Sequence, residues 1–326
     1  MARRRPDESD IRIRPPRSTR PRSKDRPEHK NAITAHVVTV DRGRSLCKTE
    51  SGILVNAMKA RELGKNAVVV GDLVNLVGDT SGNEGSLARI VAVQPRRNSL
   101  SRTIDDAGAF EKTIAANIDQ MIIVAASANP EPRHGFIDRC LAVAYDQGIT
   151  PVIVMTKSDL ADPSAFLEDY SALNVVVFVT SRGADLSAIS QQLHNKTSVL
   201  IGHSGVGKST LVNALLGDEQ RATGDVNDAT GRGRHTSSSA ISFELPGGGR
   251  IIDTPGVRSF GLEHIDKSRV IGSFSELQPA IALCPKNCSH DEEMCGLNDF
   301  TAGRPELQRR VAGLRRLLAA STHPIT

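Results

Sequence analysis

Three short segments of this chain hold residues whose types and spacing could do chemistry on a nucleotide. Gly202-His203-Ser204-Gly205-Val206-Gly207-Lys208-Ser209 fits GxxxxGK[ST]. In such a loop backbone N–H groups wrap phosphates, the lysine reaches the β- and γ-phosphates, and the terminal hydroxyl ligates magnesium. Lys208 is therefore a catalytic candidate, Ser209 a magnesium ligand, Thr210 a further nucleotide contact, and His203 a variable loop position. The loop alone leaves ATP and GTP both open. Asp253-Thr254-Pro255-Gly256 follows the buried pair Ile251-Ile252. Asp253 there would face magnesium, directly or through water, and the Gly256 N–H would sense the γ-phosphate. Thr156-Lys157-Ser158-Asp159 resembles the NKxD motif of GTPases, with Thr156 in the usual Asn position. A carboxylate at Asp159 can accept from N1–H and the exocyclic amine of guanine, a pair adenine lacks, while the Lys157 stem packs over the base. Thr180-Ser181 has the position of the base-backing loop that follows it.

These segments run in an unusual order: base motif, base-backing loop, P-loop, then the two switch segments. Ras-like GTPases begin with the P-loop, so the order indicates circular permutation, which closely spaced domain termini tolerate. The first switch is Gly231-Arg232-Gly233-Arg234-His235-Thr236-Ser237, polar and glycine-punctuated. Thr236 is its expected magnesium and γ-phosphate contact. After Gly256, Val257 stands where a water-orienting Gln is usual, so slow intrinsic hydrolysis is expected. His235 is the nearest polar replacement, since an imidazole can orient water near neutral pH; the rival reading is a solvent- or RNA-facing histidine.

Cys284, Cys288, His290 and Cys295 lie within twelve residues. Three thiolates and an imidazole suit a closed, tetrahedral, structural zinc site. Five cysteines in all make a poor disulfide framework. Cys47 and Cys140 read as buried small apolar residues.

The elements that must position these groups fall into zones. Five short runs between Ile33 and Val93 (33–40, 45–49, 53–56, 73–77, 87–93), divided by turn signals, predict a five-stranded barrel of OB type, although an SH3-like barrel leaves the same trace. Beyond Asn98, strands are expected at 121–126, 151–155, 175–179, 198–201, 241–244 and 250–252, with helices at 136–147 and 209–216. That alternation predicts a mostly parallel sheet covered by helices. A last amphipathic helix is expected at 305–320, with Leu307, Val311, Leu314 and Leu318 on its apolar face and Arg309, Arg310, Arg315 and Arg316 on the other.

The net charge of +4 conceals an asymmetry: the first thirty residues carry eleven Lys or Arg against five Asp or Glu, and the rest is slightly acidic. That segment is too polar to bury a core and reads as a disordered basic arm, either solubilising or touching nucleic acid. Aromatic content of 3% with no Trp argues against recognition by base stacking. No apolar run reaches the roughly 18 residues of a membrane span. A soluble, cytoplasmic monomer without membrane partners is expected.

The division is then a multidomain α/β chain: arm 1–31, OB-like barrel 32–97, permuted GTPase 98–265, and zinc-binding helical module 266–326. Barrel, permuted GTPase and Cys/His module together resemble the RsgA family of bacterial GTPases that act late in small ribosomal subunit assembly, over residues 33 to about 320. The motif order, Gly233-Arg234-His235-Thr236 and the zinc cluster carry the likeness. The resemblance implies GTP and GDP as ligands with Mg2+, one structural Zn2+, the small subunit and its rRNA as partners, and hydrolysis stimulated by the subunit and coupled to release. A nucleotide-gated RNA-binding module with incidental hydrolysis is the alternative; an ATPase or kinase is disfavoured by Asp159.

Overall fold

A computed structural model describes residues 29, 31–41, 43–64, 68–103, 111–217, 240–254 and 265–321. Strands β1 (Ile33–Asp41), β2 (Arg44–Thr49), β3 (Leu54–Lys59), β4 (Leu73–Gly78) and β5 (Ala88–Val93) hydrogen-bond in the order β1-β2-β3-β5-β4, and β1 pairs again with β4. That second pairing closes a barrel of the OB-like kind. Alternate residues point inward, so Ala35, Val37, Cys47, Val55, Ala57, Val74, Leu76, Ala88 and Ile90 form its core.

β6 (Ser99–Thr103) and β7 (Glu111–Ala116) make a separate two-stranded sheet that the polar sequence gave no reason to expect. Then come β8 (Gln120–Ala126), α1 (His134–Asp146), β9 (Thr150–Thr156), α2 (Ser164–Ser171), β10 (Val176–Val179), α3 (Ser187–Leu193), β11 (Thr197–Ile201), α4 (Lys208–Leu216), β12 (Ile241–Glu244) and β13 (Arg250–Asp253). The order is β10-β9-β8-β11-β13-β12, parallel except for β12. Residues of β8 alternate between two cores. Ile122 and Val124 pack with α3 and α4; Met121, Ile123 and Ala125 pack with α1 and the C-terminal helices. Those helices are α5 (Lys267–Gly272), α6 (Gln278–Ile281), α7 (Gly296–Thr301) and α8 (Pro305–Ala320). Phe274, Leu297, Leu314 and Leu317 are buried in the same cluster as Ile137 and Leu141 of α1, so the chain after residue 265 shares the core beneath the sheet.

The barrel is welded to that sheet. Thr39 of β1 pairs antiparallel with Ile241 of β12, and Lys48 Nζ lies 2.6 Å from Glu244 Oε2. On its other side the Ala116 N–H donates to Val70 O at 3.0 Å and Asn117 Nδ2 to Gly71 O at 3.0 Å. Gly71 has φ +87°, and a Cβ there would lie 2.2 Å from Ala116 O, so only glycine fits.

The polar face expected of the last helix needs correction. Arg309 is exposed, but Arg310 is 8% exposed, pairs with Glu276 and covers the Phe274 ring. Arg316 Nε lies 2.9 Å from the buried Asp138 Oδ2 of α1, and Arg315 donates to His290 O at 2.6 Å and to Asn298 Oδ1 at 2.7 Å. These arginines clamp α8 to the GTPase helices and to the cysteine segment. Periodicity identifies the polar stripe of a helix but not the acids and carbonyls that meet it. Cys47 and Cys140 are fully buried, and burial pushes the Cys47 thiol up to about 12, so both act as apolar filler.

Candidate functional site

Because β8, β9, β10, β11 and β13 are parallel, their C-terminal ends share one edge of the sheet, where ligands of open α/β sheets bind. Thr156-Lys157-Ser158-Asp159 leaves β9, Thr180-Ser181 leaves β10, the P-loop leaves β11 and Asp253 ends β13. Four sequence segments separated by up to about a hundred residues therefore lie at one edge of the sheet.

Local contacts fix each one. Gly202 passes so close to β8 that a Cβ would lie 2.3 Å from Val124 O. Gly205 and Gly207 have φ of +81° and +94°, a conformation that bends the loop into the first turn of α4. Lys208 Nζ donates to Gly202 O and, at 2.8 Å, to His203 O, so the ammonium lies folded over the loop's own carbonyls. Burial lowers the Lys208 pKa from its ordinary value, and the Asp253 carboxylate nearby pulls it back up. Ser209 and Thr210 are exposed on the first turn of α4, while Asp253 is 8% exposed. Thr254 Oγ1 donates to Leu200 O at 3.0 Å and holds the end of β13 against β11.

Thr156 is buried, and its hydroxyl lies 2.6 Å from Val206 O and 3.2 Å from Ala125 O. It ties the base motif to the P-loop, a role that its motif position did not announce. Lys157 has φ +56° and donates to Asn129 O. Ser158 N–H donates to Thr180 O at 3.2 Å and Thr180 N–H to Met155 O at 2.8 Å, so the two base loops are laced together; Asp159 is exposed beside them. The His203 ring packs on Phe136 of α1 with centroids 4.2 Å apart, a contact without a sequence signal. His235, Thr236 and the rest of the first switch, and Gly256 with Val257, lie outside the described residues, as does nearly all of the basic arm.

A second cluster lies in the C-terminal segment. Cys284, Cys288, His290 and Cys295 bring one ligand atom each to within 4.8 Å of one another, a group that could hold a metal ion. Cys284 Sγ is 3.7 Å from Cys295 Sγ and 3.6 Å from His290 Nδ1, and Cys295 Sγ is 3.9 Å from that nitrogen. A tetrahedron with bonds of about 2.3 Å to sulfur and about 2.0 Å to nitrogen has edges of roughly 3.5–3.8 Å. The donor set suits such a site, and the three separations among Cys284, His290 and Cys295 lie close to those edges. Burial lowers the His290 pKa, which favours the neutral ring that can ligate.

A P-loop, a guanine-type base motif and an acidic strand end, converging in permuted order beside a closed barrel, define a circularly permuted P-loop GTPase. The model of the RsgA GTPase family matches residues 93–263. The small ribosomal subunit biogenesis GTPase RsgA of Pseudomonas aeruginosa is 38% identical over 264 residues, covering 78% of this chain and 76% of that protein. Its namesake in Chromohalobacter salexigens is 36% identical over 310 residues, covering 91% and 87%. Among solved structures, the circularly permuted GTPase YloQ superposes with a TM-score of 0.62 at 21% identity over 90% of this chain and 98% of that one. YjeQ from Thermotoga maritima gives 0.62 at 24% identity over 88% and 99%. The chain belongs to the RsgA GTPase family and is a GTP hydrolase.

Proposed function

We propose that this GTPase acts in small ribosomal subunit biogenesis, binding the subunit in its GTP state and leaving after hydrolysis that the subunit stimulates. The name carried by the relatives that span most of the chain is the observation that supports this reading. Asp159 selects guanine, Lys157 and Thr180-Ser181 flank the base, and residues 202–210 hold the phosphates. Ser209, Asp253 and Thr236 would hold magnesium, which would neutralise phosphate charge, and the Gly256 N–H would sense the γ-phosphate. Thr236 and Lys208 stabilise the transferred phosphoryl group and His235 orients the water; His235→Ala should lower stimulated turnover and leave GTP affinity nearly intact. The Cys₃His cluster takes Zn2+, which when bound supplies structural cross-linking and no open position. Domains divide at 31, 97 and 265, and the chain works in the cytoplasm as a monomer. The test is GTP and ATP hydrolysis by the purified protein with and without small subunits. Stimulation confined to GTP is expected; no stimulation with nucleotide-dependent subunit binding intact would refute coupling and favour the gated module.

A further inference from the structure

The two most exposed large apolar side chains among the described residues flank the metal cluster. Met294, 82% exposed, precedes Cys295, and Leu283, 78% exposed, precedes Cys284. A lone exposed apolar side chain calls for no explanation. These two differ because the backbone that presents them is held. Asn298 Nδ2 donates to the carbonyls of Glu292 and Glu293, each at 3.0 Å, and the Cys295 N–H to Glu292 O at 3.1 Å. Arg315 in turn orients Asn298 at 2.7 Å and His290 O at 2.6 Å. Leu283 closes the turn after α6, its N–H donating to Ala280 O at 3.0 Å. The two segments abut: a Cβ on Gly296 would lie 2.7 Å from Ala280 O and 3.5 Å from the Leu283 carbonyl carbon. An apolar pair displayed on a pinned backbone loses little ordering entropy on docking, which is the character of an interface anchor.

Charge names the class of partner. Between Leu283 and Phe300 the chain carries one lysine, Lys286, against four exposed carboxylates, Asp291, Glu292, Glu293 and Asp299. Arg315, 3.6 Å from Asp291, offsets one of them and Arg304 stacks on Phe300. Three thiolates around a divalent ion would add a further negative charge. Such a face repels a phosphate backbone, whose binding requires lysines and arginines on the protein. We propose that the Leu283–Met294 face docks a Lys/Arg-rich protein segment of the small ribosomal subunit, not its RNA; this rests on the subunit reading above.

The test places a benzophenone side chain at position 294, and in a second full-length protein at the exposed Arg89 of the barrel. Each is irradiated with purified small subunits and a non-hydrolysable GTP analogue. Crosslinking from 294 to a subunit protein, at a peptide rich in Lys or Arg, is expected, and the Leu283→Ser/Met294→Ser variant should bind subunits about tenfold more weakly or worse. Its metal content and basal GTP hydrolysis should be unchanged. Crosslinks from 294 to rRNA alone, or none from 294 where 89 reacts, would overturn the proposal. Should the unmodified chain fail to cosediment with subunits at all, the subunit reading falls and takes this one with it.

Discussion

Replacing Thr156 by Val keeps the shape of the side chain and removes its hydroxyl. That hydroxyl has one proton, and the 2.6 Å contact to Val206 O is the shorter of its two carbonyl contacts. At 7% exposure, water cannot readily replace it. A hydrogen bond of this kind contributes about 1 kcal/mol net, and a stranded buried carbonyl costs about 1–3 kcal/mol, so a loss of about 1–2 kcal/mol is expected. Val206 belongs to the P-loop, so relaxation of its carbonyl must be reversed whenever phosphates bind. Affinity for GDP and GTP should therefore fall roughly 5–30-fold. With its proton committed to Val206, the hydroxyl does not donate to the base, so the preference for guanine over adenine should be unchanged. Thr156→Ser, which keeps the donor, should bind nearly as the parent does. Equilibrium titration with fluorescent GDP and ADP analogues checks all three. Unchanged GDP affinity in the Val variant, or a change in base preference at constant phosphate affinity, would refute the role of Thr156 as a latch.

Arg316→Ala would strand the buried Asp138 carboxylate, whose pKa burial already raises and Arg316 lowers. A destabilisation of about 3 kcal/mol is expected by chemical denaturation, and Asp138→Asn in the same background should recover part of it. Gly71→Ala should lower the melting temperature by several degrees, because Ala116 O blocks the Cβ and φ is positive; a neutral result would show that the barrel joint yields. His36 has a lowered pKa, chiefly through burial and then through Arg250. The unfolded chain therefore takes up that proton first as pH falls, so stability is retained above about 6.5 and declines below it. Denaturation midpoints between pH 7.5 and 5.5 should show the decline, and His36→Gln should flatten it.

Much of this molecule can be read from its residues because the informative stretches are local. The barrel and sheet strands emerge within a few residues of expectation, since Val, Ile and Leu runs bounded by Gly and Asp are unambiguous at that length. The Cys₃His cluster was legible for the same reason, with all four side chains within twelve residues. The β6–β7 hairpin was not, because Ser-Leu-Ser-Arg-Thr has no apolar run and its pairing depends on the neighbouring chain. Helices α2 and α3 were missed as well: each is only two turns long, and the Asp162 and Asp185 side chains that accept from their first N–H groups sit ahead of Pro163 and Leu186 at the N-cap positions. Within the site, the glycines and Lys208 declare themselves by spacing, whereas the Thr156 latch and the His203–Phe136 stack join positions 50 and 67 residues apart and exist only once the sheet has formed.

The pairing of Thr39 with Ile241 bears on how this protein can be dissected. β12 is the outermost strand of the GTPase half, and β1 is what covers its open side. A truncation that begins at residue 98, made to obtain the nucleotide-binding half alone, would strip that cover and bare the β12 edge at Ile241. Bared sheet edges recruit other chains. The excised half should therefore self-associate, and its hydrolysis would report on an aggregate unless a strand equivalent to β1 were grafted back.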